Sequence, residues 1–182
     1  VDAVIRFAAD GDIADLQEVE ASADEALAAF FRLDEALEAE TGAERASMPG
    51  FLLVAELEGR IVGFAQVVEA EALCHLEQMS VRGSAARRGI GTALLEAALE
   101  TAASRGHAEM TLRTFVEPPF NAPFYARHGF VERTPGRSGL LAEILHAERD
   151  LDRLGPRVFM GVALRAPYVP GREGAVIPRP RR

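Results

Sequence analysis

Arg87-Arg88-Gly89-Ile90-Gly91-Thr92 separates two segments of opposite periodicity. Before it, Ala72 to Val81 reads as an extended strand. After it, Thr92 to Ser104 places Leu94, Leu95, Ala98 and Leu99 on one side of a helix that Arg105-Gly106 ends. A strand that passes through glycines into a helix leaves the first N–H groups of that helix without intrahelical acceptors, pointing at whatever lies ahead. Glycine lets backbone approach phosphate oxygens with no Cβ in the way, and Arg87 and Arg88 add charge at the positive end of the helix dipole. The stretch therefore predicts a diphosphate site formed by Arg87, Arg88, Gly89, Ile90, Gly91 and Thr92. The plain alternative is a strand-to-helix turn whose glycines only permit close packing. Two common nucleotide loops do not fit: no G-K-[ST] follows, and Leu94 stands where a dinucleotide fingerprint needs its third glycine.

Working outward, Val4 to Ala8 reads as a short strand, and Asp10-Gly11-Asp12 caps the helical pattern of Ile13, Leu16 and Val19. Further helical character runs from Ala26 to Leu37 until Thr41-Gly42 breaks it, and Ser47-Met48-Pro49-Gly50 is a loop. Phe51 to Leu57 and Ile61 to Val68, joined by Glu58-Gly59-Arg60, form a hairpin. Downstream, Ala108 to Phe115 alternates as a strand, Pro118-Pro119 punctuates, Asn121 to Arg127 is a short helix, and Gly129-Phe130-Val131 begins another strand. Leu140 to Leu154 is a charged helix and Arg157 to Leu164 a final strand.

The chain of 182 residues fits one domain, expected over 1–166, with a Pro-, Gly- and Arg-rich tail at 167–182. No apolar run approaches the roughly 20 residues that cross a bilayer, and no basic region leads into an apolar stretch, so a cytoplasmic location without a membrane partner is expected. The net charge of −8 argues against nucleic acid and suits cationic substrates, although acidity also serves plain solubility. The single cysteine, Cys74, has no disulfide partner and no neighbour that would lower its pKa, and the four histidines lack metal-ligand spacing. No metal is expected.

Leu76-Glu77-Gln78-Met79-Ser80-Val81, the arginine-glycine loop and Ala93-Leu94-Leu95 together resemble motif A of the GNAT acyltransferase superfamily. Its usual form, [Q/R]-x-x-G-x-[G/A], reads here Ala86-Arg87-Arg88-Gly89-Ile90-Gly91, so the alanine restricts phosphate contact at the first position to backbone. Asn121-Ala122-Pro123-Phe124-Tyr125-Ala126-Arg127-His128-Gly129-Phe130 is similar to motif B of that superfamily, with the Asn closer to the Tyr than in the commonest version. The resemblance implies an α/β (α+β) domain: a mixed, largely antiparallel central sheet of about seven strands flanked by helices. It implies acetyl-CoA as co-substrate, held at its pantetheine by the backbone of Met79, Ser80 and Val81, with Asn121, Phe124 and Arg127 also assigned to coenzyme binding. Phe124 has core packing as its simpler alternative. Tyr125 corresponds to the family tyrosine near the coenzyme sulfur, the proton donor to the leaving thiolate, with a packing tyrosine whose hydroxyl bonds backbone as the alternative.

An acceptor ammonium with a pKa near that of lysine, about 10.4, needs a base before it can attack a thioester. Glu77 stands just ahead of Met79, and alternation puts His75, Glu77 and Met79 on one face, so Glu77 is the candidate base, directly or through water. A surface or salt-bridging carboxylate is the alternative. Glu117 is a candidate rim residue of the acceptor site, or a solvated loop carboxylate. The expected activity is acyl transfer to an amine in a ternary complex, with no nucleic-acid partner and the homodimer left open. Two rival readings are a coenzyme-binding domain without turnover and an interaction module using the Leu140 to Leu154 helix and the basic tail.

Overall fold

The computed structural model describes residues 2–35, 37–70, 72–136 and 139–164. Seven strands form one sheet in the order β1-β2-β3-β4-β5-β7-β6, where β1 is Val4–Phe7, β2 Gly50–Leu57, β3 Arg60–Ala70, β4 Leu73–Val81, β5 Glu109–Phe115, β6 Val131–Glu132 and β7 Arg157–Ala163. Every neighbouring pair is antiparallel except β4 and β5. The hairpin joining β2 to β3 turns through Glu58 and Gly59 at φ 52° and 75°, the left-handed pair that matches the strand twist.

Helices cover both faces. α3 (Ile90–Ser104) buries Ile90, Leu94, Leu95, Ala98 and Ala102 against Leu53, Ala55, Ala65, Val67, Cys74 and Leu76. Each fully buried leucine there contributes about 1.5–3 kcal/mol. On the opposite face α1 (Leu16–Phe31) packs Leu16 and Val19 against Val54, Ile61 and Phe64. α2 (Gly42–Ser47), α4 (Ala122–Arg127) and α5 (Gly139–Ala147) complete the set.

Three expectations are corrected. Helical character does not run to Leu37: α1 ends at Phe31, because Arg32 takes the left-handed region at φ 57° and the Leu33 N–H bonds back to the Ala28 carbonyl. Thr41-Gly42 starts a helix rather than breaking one, since Thr41 caps α2 through a reciprocal box with Glu44. The segment 140–154 divides into α5 and a 3-10 turn, Glu148–Arg153, where Arg157 and Arg113 draw on the Glu148 carboxylate. The expected tail, 167–182, lies outside the described residues.

α2 is seated tightly, because a methyl on Gly42 would run into the Ile13 carbonyl oxygen. Gly42→Ala is therefore expected to lower stability by about 1–3 kcal/mol in a urea titration, whereas the same change at open Gly59 would act only through its positive φ.

Candidate active site

β4 and β5 pair over only two positions, His75 with Thr111 and Leu76 with Leu112, and then part. The cause of the parting is on β4. Its register against β3 passes from Val67 opposite Leu76 to Gln66 opposite Gln78, so Glu77 is an extra, bulged residue. The bulge bends β4 away from β5 and leaves the β5-facing edge of Met79, Ser80 and Val81 without a partner strand, while their other edge stays paired to Ala65, Phe64 and Gly63. It also breaks the alternation. Glu77 faces α1 and α2, whereas Met79 packs into the α3 core, so the predicted shared face of His75, Glu77 and Met79 does not hold.

Glu77 sits at the apex of the gap with its side chain 12 % exposed, and Arg45 Nη1 donates to its Oε2 at 2.8 Å. Arg45 itself is 3 % exposed and fully occupied: Nε and Nη2 bond both Glu20 oxygens at 2.7 Å, and Nη1 also donates to Gln66 Oε1 at 2.8 Å. Burial pushes the Glu77 carboxyl up to about 7, against the pull of Arg45. Burial and then Glu20 raise Asp24 to about 7 as well. Further along this side, where β5 ends, Phe31 packs on Phe115 at 4.9 Å and Phe30 meets Phe120 edge-on at 6.5 Å.

The other side of the gap holds the glycine loop. Gly89 precedes α3 at φ 80° and Arg87 is also left-handed at φ 60°, a conformation that costs a non-glycine residue about 1–2 kcal/mol. No side chain caps α3, and among the described residues the N–H groups of Arg87 to Thr92 have no protein acceptor. Arg87, Arg88 and Gly89 are exposed. A Cβ at Gly91 would lie 3.9 Å from Phe124 and 4.0 Å from Val81, so the loop, α4 and the free edge of β4 converge there.

α4 brings Tyr125 into the same core, 8 % exposed, with its ring edge-on to Phe124 and Phe130. Burial raises its phenol above the usual range, and its hydroxyl bonds to nothing among the described residues. Asn121 Nδ2 donates to Thr114 Oγ1 at 2.8 Å, while Asn121 Oδ1 is buried without a donor. Arg127 is exposed at the end of α4.

The remaining candidates lie elsewhere or are inert. Burial pushes the Cys74 thiol up to about 12. His75, wholly buried, bonds Thr111 Oγ1 through Nδ1 at 2.9 Å and stacks on Phe159, and burial lowers it to about 4. Glu117 is exposed on the loop after β5. Sequence reasoning missed Arg45, Glu20 and Gln66. Two signals were present: the Thr41-x-x-Glu44 box that puts Arg45 on a helix, and Gln66 as the polar intruder in the apolar run Ile61 to Val68.

The profile of the acetyltransferase (GNAT) family matches residues 13–130, more than half of the chain. Solved structures with the same fold include the ribosomal-protein-S18-alanine N-acetyltransferase of Escherichia coli, at 17 % identity and TM-score 0.64, covering 94 % of this chain and 99 % of that one. The PaiA N-acetyltransferase of Thermoplasma acidophilum, solved with coenzyme A, superimposes with TM-score 0.66 at 15 % identity over 90 % of this chain and 99 % of its own. A GNAT phosphinothricin acetyltransferase of Sinorhizobium meliloti, solved with acetyl-CoA, gives 0.63 at 18 % identity over 90 % and 89 %. The chain belongs to the GNAT acetyltransferase family. Among the described residues no helix is long and apolar enough to cross a membrane.

Proposed function

We propose that the chain is an N-acetyltransferase that moves the acetyl group of acetyl-CoA to a primary amine, of a small molecule or a peptide, by direct attack in a ternary complex. The observation that carries this reading is the conjunction of uncapped N–H groups at the start of α3 with an unpaired β4 edge that begins at a buried carboxylate. The N–H groups of Arg87 to Thr92, with both arginines, suit a diphosphate. The free edge of Met79, Ser80 and Val81 suits the amides of pantetheine, and the buried, donorless Asn121 Oδ1 calls for an N–H of the same kind. Phe124, between Gly91 and Tyr125, would pack against the bound chain, and exposed Arg127 is free to meet a phosphate.

In this reading Glu77 takes the proton from the acceptor ammonium, its raised pKa narrowing the gap to the amine. A backbone N–H of the open β4 edge steadies the negative charge that develops on the thioester oxygen. Tyr125, kept protonated by burial, donates to the departing sulfur.

Titrating the protein with acetyl-CoA tests the coenzyme assignment. At a hundred times Kd the stabilisation is about 2.7 kcal/mol, so Tm is expected to rise by roughly 5–10 °C. Equal concentrations of NAD or ATP are expected to leave it unchanged, and equal shifts from all three would refute the assignment.

A further inference from the structure

The base reading makes Glu77 the reacting group but leaves unexplained why so much buried machinery surrounds it. Glu77 is a bulged residue just past Leu76, the last position of β4 paired to β5, where the backbone alone does not fix a side chain. Its one ionic hydrogen bond comes from Arg45. That arginine is immobilised from two other elements: Glu20 of α1 takes its Nε and Nη2, Gln66 of β3 takes Nη1, and Gln66 Nε2 returns a bond to the Arg45 carbonyl at 2.8 Å. The capping box of Thr41 and Glu44 and the close seat of Gly42 on Ile13 fix α2, and hence the root of the side chain. Taking a guanidinium to 3 % exposure is expensive, and the arrangement satisfies it with carboxylates from two directions.

We propose that Arg45 is the positioning residue for Glu77: held by Glu20 and Gln66, its guanidinium fixes the Glu77 carboxylate at the apex of the gap between β4 and β5 and lowers the pH at which that carboxylate becomes a base. The proposal deepens the acetyl-transfer reading and rests on it for the word base, but the coupling itself does not. The other charged groups facing Glu77 are Glu40 before α2 and Glu148 after α5, both of which oppose its ionisation. Asp24 lies beyond Glu20 on α1, and Arg157 and Arg113 neutralise Glu148 from β7 and β5. Burial holds the Glu77 carboxyl high, and Arg45, the cation among these groups that touches it, is what opposes that rise. Glu20 competes for the guanidinium, which gives the two substitutions opposite signs.

The test is a carbon-13 NMR titration of the full chain labelled at glutamate carboxyl carbons, with the Glu77 signal assigned by its loss in Glu77→Gln. In the parent the signal is expected to titrate near 7. In Arg45→Gln the midpoint should rise by about one unit or more, in Glu20→Gln it should fall, and Arg45→Lys, which keeps the charge, should return it toward the parent. The low-pH limb of kcat/KM with acetyl-CoA and spermidine as the probe amine should move with the midpoint. An arginine that only braces the fold would lower Tm in the Arg45 and Glu20 variants yet leave the midpoint where it was, and that result overturns the proposal. If Arg45→Gln does not fold, the downward shift in Glu20→Gln decides it. The reading of Glu77 as base fails separately, through an unchanged rate in Glu77→Gln, whatever the titration shows.

Discussion

Glu77→Gln is expected to lower kcat/KM for acetyl transfer by about 10²–10⁴-fold, the range lost when a positioned base is removed. The substitution is close to isosteric, and the amide oxygen of the new side chain can still accept from Arg45 Nη1, so the fold and the acetyl-CoA-induced rise in Tm should survive. What is lost is the ability to take up a proton on the other carboxylate oxygen, Oε1, which Arg45 does not bond. The pH dependence has a definite sign. With the folded carboxyl raised to about 7 by burial, the base is protonated and inactive below that value, so activity in the parent rises with pH through about 7. Stability runs the other way. Unfolded Glu77 ionises near the ordinary glutamate value of 4.5, so the unfolded state gives up its proton first and the contribution of this group to stability is lost between about 4.5 and about 7. Thiol release followed across an amine panel checks the rate, and a variant that turns over like the parent would remove Glu77 from the mechanism.

The two halves of the candidate site differed in how readable they were. The glycine loop and α3 were legible because each rests on local chemistry. Leu94, Leu95 and Ala98 repeat at helical spacing, and Gly89 answers a left-handed φ that few other residues take easily. The acceptor side depends on a bulge and on a contact between distant segments. Nothing in Leu73 to Val81 announces that Glu77 is the surplus residue. Strict alternation therefore put Met79 on the wrong face, although the choice of Glu77 needed only its place beside the gap. Arg45 was hidden for a different reason. Gly42 looks like a breaker, while the Thr41 to Glu44 box that overrides it carries the stronger signal, and a glycine suits that position because Ile13 leaves no room for a Cβ. The helix 140–154 erred in the same manner: Leu151 and Leu154 keep the apolar spacing, but the pairing of Glu148 with Arg157 and Arg113 tightens the chain into a 3-10 turn.

Gly91→Asp separates coenzyme binding from folding more cleanly than any change to the arginines. A Cβ at Gly91 meets only ordinary contacts, 3.9 Å to Phe124 and 4.0 Å to Val81, so the side chain can be placed without moving the backbone. The first turn of α3 contains no acidic residue, and a carboxylate near a helix N-terminus is favourable by about 0.3–1 kcal/mol. Tm without ligand is thus expected to stay level or rise slightly. The same carboxylate stands among the N–H groups of Arg87 to Thr92, where the diphosphate is proposed to lie, and both competes for those donors and repels the anion. Losing even one charge-assisted bond costs about 1.5–3 kcal/mol, and adding the repulsion makes a drop in acetyl-CoA affinity of about 100-fold or more the expected outcome by calorimetry. Salt supplies an internal check, since raising ionic strength should narrow the difference between parent and variant by screening the repulsion. Unchanged affinity in a folded Gly91→Asp protein would mean that the diphosphate lies elsewhere. In that case the uncapped start of α3 would be a strand-to-helix turn whose glycine serves only to let Phe124 and Val81 come close.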